Sequence, residues 1–150
     1  MFRALLLVTL FALQAHAAAP LPLVFAESIA GLKPGMTRAQ VLKLGHRLEP
    51  EGIDRAERTG FFSGPMLLLF DAHDTLVLIS VDLHKSAGLQ FGKKHLPPRA
   101  TLQQLSEILP GCKLERGSGG NALSCADAQG RLLNAYDDFG AQVWVQLGPG

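Results

Sequence analysis

The sequence predicts an α+β fold in which short helices pack on one face of an antiparallel sheet. The plan is two tandem helix-plus-hairpin repeats. Two segments carry the same helix-start signature, Thr37-Arg38-Ala39-Gln40 and Thr101-Leu102-Gln103-Gln104. Each is followed by paired apolar runs around an Asp-containing turn, and alternation along such runs is the mark of strands with one buried face. The expected repeats span 28–84 and 98–148, within one domain over residues 18–150.

The chain opens on a secretory signal. Met1-Phe2-Arg3 supplies a positive start, Ala4 to Leu13 an apolar run, and Ala15-His16-Ala17 a small-x-small cleavage site. The apolar run is shorter than the ~18 residues a membrane-spanning helix needs. Residues 1–17 are therefore expected to be removed, with cleavage near Ala17 and a periplasmic or secreted product. No cysteine lies near the cleavage site, so no lipid anchor is expected, and no later run predicts a transmembrane segment in the mature chain. Ala18 to Pro22 reads as a flexible lead-in.

Next comes a short helix with both ends written. Thr37 is the N-cap and Gln40, three residues on, completes a capping box. Met36 and Val41 are placed as a hydrophobic staple, Val41 and Leu44 as the buried face, and Gly45 as the stop. Strand runs follow at Met66 to Phe70 and Thr75 to Leu83, around Asp71-Ala72-His73-Asp74. On the second run Val77, Ile79, Val81 and Leu83 make the core face, with Ser80, Asp82 and His84 opposite. Residues 85–100 show little periodicity and read as the connector between the halves.

The second half repeats the order. Thr101 and Gln104 form the capping box, Leu105 and Ile108 match Val41 and Leu44, and Pro110-Gly111 ends the helix. Strand runs at Ala122 to Ala126 and Arg131 to Tyr136 flank Asp127-Ala128-Gln129-Gly130. A last run, Ala141 to Leu147, returns through Asp138-Phe139-Gly140, read as a three-residue hairpin loop. That register puts Leu133, Ala135, Val143 and Val145 on the core face and Asn134, Tyr136, Gln142 and Trp144 on the other.

Composition bounds the function classes. The chain has 150 residues, of which 47% are hydrophobic and 18% charged, an ordinary globular balance. Arg3 is one of 14 Lys+Arg; without it the cations equal the 13 Asp+Glu. A neutral mature chain argues against nucleic acid and anionic membranes as partners. Cys112 and Cys125 both lie in the exported part, where oxidising conditions favour a disulfide. The Gly-rich stretch between them suits a bridge across neighbouring strands. The pair lacks the Cys-x-x-Cys spacing of a redox site, and two cysteines without suitably spaced histidines make no zinc site.

At Gly35-Met36-Thr37-Arg38-Ala39-Gln40-Val41, with Leu44-Gly45, the sequence resembles the small outer-membrane-assembly lipoproteins of the SmpA/OmlA family, without their lipobox cysteine. The tandem layout also looks like the β-lactamase-inhibitor-protein architecture. The resemblance implies an envelope protein that binds other proteins through its sheet or loops.

The candidate binding site is the polar sheet face. Tyr136 and Trp144, the chain's only Tyr and Trp, lie there with Asn134 and Gln142, and Phe139 at the loop tip extends the patch. Large amphipathic rings on such a face suit a hot spot, against the alternative that a loop or the N-terminal segment covers them. The expected partner is another envelope or secreted protein. A small-ligand or envelope-component binder is the alternative, requiring a concave cavity of a few hundred Å³.

No catalytic site, metal or cofactor is expected. Asp71, His73 and Asp74 read as a hairpin turn, and Lys93-Lys94-His95 with Arg99 as a solvated loop. Ser63 lacks the flanking glycine of a hydrolase elbow and reads as a turn before Pro65. An enzyme would need His84 or His73 in a cleft with a carboxylate and a hydroxyl.

Overall fold

A computed structural model of the chain describes residues 18–54, 56–138 and 142–148. The signal segment 1–17, Phe139 and Gly140 lie outside the described residues. In chain order the elements are β1 (Leu21–Val24), β2 (Ser28–Ile29), α1 (Arg38–Lys43), β3 (Glu49–Ile53), β4 (Thr59–Ser63), β5 (Met66–Phe70), β6 (Leu76–Asp82), a 3-10 turn (Leu83–Lys85), β7 (Leu89–Phe91), β8 (Lys94–Leu96), α2 (Leu102–Ile108), β9 (Cys112–Gly117), β10 (Gly120–Ala126), β11 (Leu132–Asp137) and β12 (Val143–Leu147). The fold is dominated by antiparallel sheet, with two short helices.

Both helices begin as their capping residues dictate. The Thr37 hydroxyl accepts from the Gln40 amide at 3.3 Å, and the Gln40 side chain accepts from the Thr37 amide at 2.9 Å. Thr101 and Gln104 repeat this at 3.2 and 2.9 Å. These reciprocal bonds satisfy amides that a helix start leaves unpaired. α1 stops at Lys43, and Gly45 takes a positive φ of 88°. One expectation is overturned: Val41 is fully buried, but Leu44, its expected companion and the C-cap of this short helix, is 52% exposed. In α2, Leu102 and Leu105 are buried and Ile108 is half-buried, and the helix contacts β9, β10 and β11.

Each helix leads into four antiparallel strands rather than a hairpin. The larger sheet has the order β3-β4-β5-β6-β12-β11-β10-β9. The last strands of the two meanders, β6 and β12, pair at its centre. β3 carries Glu49, Pro50, Glu51 and Gly52, is exposed along its length and contains a register shift between Pro50 and Gly52. Those features hide an edge strand from periodicity and also keep it from recruiting further strands. The Asp71 and Asp127 turns prove not to be equivalent. The first joins the third and fourth strands of its meander, the second joins the second and third.

A second sheet, β2-β1-β7-β8, is formed in part by segments expected to be irregular. β1, in the supposed lead-in, runs parallel to β7, in the supposed connector. Leu23, Ile29, Leu89 and Leu96 are all buried in the common core. Strands of two to four residues are too short to declare a period, so burial of a few leucines decides them.

The core face of the large sheet carries Leu68, Ile79, Val81, Leu123, Leu133, Ala135, Val143 and Val145, all buried. On β6 a register shift between Leu69 and Phe70 puts Leu76, not Val77, into the core; Val77 is half-buried. Cys125 lies directly opposite Cys112 and the two form a disulfide.

Candidate functional site

The second face of the large sheet presents rows of directly paired side chains. One row runs Asp82, Trp144, Tyr136, Ala122 across β6, β12, β11 and β10. The next runs Phe62, Leu67, Ser80, Gln146, Asn134, Ser124 from β4 to β10. Exposure grades across it. Ser80 and Asp82 on the central strand are buried, Leu67, Asn134, Tyr136, Trp144 and Gln146 are half-buried, and Ala122 and Ser124 are exposed.

Tyr136 and Trp144 meet as a cross-strand pair. Their ring centroids are 6.4 Å apart and the planes differ by 8°. Such pairs stabilise sheets and hold each ring in one orientation. The Gln146 amide donates to the Ser80 hydroxyl at 3.3 Å and lies 3.5 Å from the Tyr136 hydroxyl. Ser124 donates to the Asn134 side chain at 3.0 Å. Burial pushes the Tyr136 phenol above its usual range, and the charge of Asp82 adds to this, against a hydrogen bond with Ser80. The result is a fixed aromatic pair bordered by oriented amides and hydroxyls.

The predicted site residues are placed unevenly. Asn134 joins Tyr136 and Trp144 on this face. Gln142 precedes β12, and its carbonyl accepts from the Asp138 amide at 3.2 Å. That bond sets Asp138 opposite Gln142, so the connecting residues are 139–141, one position later than expected. Because the resulting register differs by two, the face assignments are unchanged. Phe139 falls outside the described residues. Sequence reasoning missed Ser80, Asp82 and Gln146 as neighbours of the rings. Alternation already set Ser80 and Asp82 on the non-core side, but the β6–β12 pairing that brings them to Trp144 leaves no local signal.

Two clefts flank Asp137, at the other side of the same strand end. One of about 280 Å³ is lined by His84, Arg99, Thr101 and Asp137 among others, and a second of about 300 Å³ adds Arg116 and Asn121. The first therefore holds a histidine, a carboxylate and a hydroxyl together. Their partners are elsewhere, however. Asp137 accepts from the Asn121 amide and side chain at 2.9 and 3.2 Å, and Thr101 accepts from Gln104. No hydrogen bond joins exposed His84 to either among the described residues.

The remaining polar groups do structural work. Asp71 accepts from the amides of His73 and Thr75, and Asp74 pairs with Arg38, whose guanidinium lies 4.7 Å from the Phe61 ring centroid. His73 is exposed. Of the basic cluster expected on a loop, Lys93, Lys94 and His95 sit on the β7–β8 hairpin, where Lys94 reaches the Ile108 carbonyl and His95 the Ala87 carbonyl, whereas Arg99 follows β8. Ser63 is not in a turn but ends β4. It is buried and hydrogen-bonded to His46, whose other ring nitrogen meets the Ala30 carbonyl. No three described His, Cys, Asp or Glu residues are grouped to hold a metal ion.

No family model, no curated protein and no solved structure matches the chain. Among the described residues, no helix is long and apolar enough to cross a membrane.

Proposed function

We propose that this is an exported binding module that holds another envelope or secreted protein against the second face of its large sheet. The observation that carries the reading is the Tyr136–Trp144 pair, half-buried, bordered by amides and hydroxyls and by the single buried carboxylate of Asp82. Interfaces concentrate their energy in such aromatic anchors and deplete charge at their centres.

The fold is read as a duplication in which each capped helix and the meander after it form one unit, with the helices on the core side of the sheet. The matching capping boxes and the mirrored strand order around β6 and β12 support this. The likeness to SmpA/OmlA-type and β-lactamase-inhibitor-type folds rests on the same features and the Gly35–Gly45 motif. A periplasmic or secreted location is supported by the signal-like residues 1–17 and the disulfide. Export predicts an N-terminus at Ala18 in protein recovered from the envelope or medium, and an intact Met1 there would overturn it.

Crosslinking from envelope extract with tagged protein, beside a Tyr136→Ala/Trp144→Ala variant with matched folding, tests the site. A partner captured by the wild type and lost by the variant is the expected result. Equal capture by both removes the aromatic face from consideration. The clefts around Asp137 support the second reading, a small-ligand binder, which such an outcome would favour.

A further inference from the structure

Asp82 ends β6 and is paired directly with Trp144, so both side chains belong to the second face of the sheet. Its side chain is only 2% exposed. Oδ1 accepts from the amides of His84 and Lys85 at 3.1 and 3.4 Å. Oδ2 is buried and has no hydrogen-bond partner among the described residues. The Lys85 ammonium stands 3.6 Å from Oδ2, beyond hydrogen-bond distance, on a side chain 66% exposed. A buried carboxylate oxygen without a donor is costly, and a fold that keeps one needs a reason.

The surroundings supply one. Ser80, Asn134, Tyr136 and Gln146 around Trp144 are uncharged, so Asp82 is the only carboxylate among these neighbours. We propose that Asp82 is the anchor for one basic side chain of a protein partner, received beside the Trp144 ring. The proposal rests on the reading of this face as protein-binding. Lys85 is loosely paired with the anchor in the free protein and gives way on binding, since its long exposed side chain has little holding it. The incoming cation donates to Oδ2 at hydrogen-bond distance and gains the indole face, a charge-assisted bond and a cation–π contact together. With Oδ1 committed to the 3-10 turn, the contact is single-pronged, and an Arg or a Lys can make it.

Trp144 is the only tryptophan, so its fluorescence reports this place alone. The exported protein is titrated with N-acetyl-arginine amide and N-acetyl-lysine amide, with the uncharged N-acetyl-citrulline amide as control. A saturable change with the two cations and none with citrulline is expected. Asp82→Asn keeps an oxygen for the turn amides but removes the charge, and should weaken binding about tenfold. Lys85→Ala removes the internal competitor and should tighten binding several-fold, which a purely structural Asp82 would not produce. An equal response to citrulline, no saturable response to either cation, or unchanged affinity in well-folded Asp82→Asn overturns the proposal. Should Asp82→Asn not fold, absence of tightening in Lys85→Ala overturns it instead. A partner still crosslinked by Asp82→Asn rejects the anchor and leaves the sheet-face reading standing, whereas no partner lost with the aromatic variant removes that reading itself.

Discussion

Val145 of β12 lies directly opposite Val81 of β6, and both are fully buried. This pair is an inner one of the four in the ladder that, among the described residues, joins the two meanders into one sheet. Four cross-strand pairs thus carry the sheet from one meander to the other, over a core that both share.

Truncation at that seam is expected to be felt by both halves. Val81→Ala and Val145→Ala should each cost about 2 kcal/mol, through lost burial and the cavity left behind. Urea unfolding followed by Trp144 fluorescence and by far-ultraviolet circular dichroism should shift together for each variant. Separate transitions would show that the meanders fold independently.

The capping boxes give a smaller, local effect. Thr37→Ala and Thr101→Ala should each destabilise by about 1 kcal/mol, while Thr→Ser at either position should cost much less. Equilibrium unfolding distinguishes them, and equal losses for Ala and Ser would mean that methyl packing, not the cap hydroxyl, matters there.

The disulfide ties edge strand β9 to β10. Replacing both cysteines by Ala should cost about 3 kcal/mol, the value for constraining a short loop in the unfolded chain. The loss should match that produced by reductant acting on the wild type. A variant as stable as the oxidised protein would show that the β9–β10 ladder needs no covalent help.

Tyr136 sets an alkaline limit. Its phenol is raised above the usual range by burial and by the charge of Asp82. An acid with a higher pKa in the folded state binds its proton more tightly there. Its contribution is therefore complete below the unfolded value near 10 and fades as pH rises through the folded value. As the only tyrosine, it can be followed directly by tyrosinate absorbance. The native midpoint should lie above that in denaturant, and Tyr136→Phe should flatten the alkaline fall in stability.

Much of this architecture was legible from local chemistry. Thr37 with Gln40 and Thr101 with Gln104 announce their helices because caps are written within four residues. The faces of β11 and β12 follow from alternation, which survives a shift of two in register. What lay hidden was either too short or too distant. β1, β2, β7 and β8 hold two to four residues each, and β3 is an exposed edge with Pro50 and Gly52. The encounter of Asp82 with Trp144 depends on pairing strands from opposite halves of the chain. Leu44 was misjudged because it is the C-cap of a helix too short for a second buried turn, and only Val41 of α1 reaches the core.

The β6–β12 ladder also sets an order of events in synthesis. The strand that completes the sheet comprises residues 143–147, near the end of the sequence. Until they emerge, β6 has no partner on one edge, although it is among the most apolar strands present. A growing chain thus cannot close its main sheet early, and a chain cut short before Val143 leaves that edge open to association with its own kind. Late closure thus makes premature termination a route to aggregation rather than to a smaller folded product.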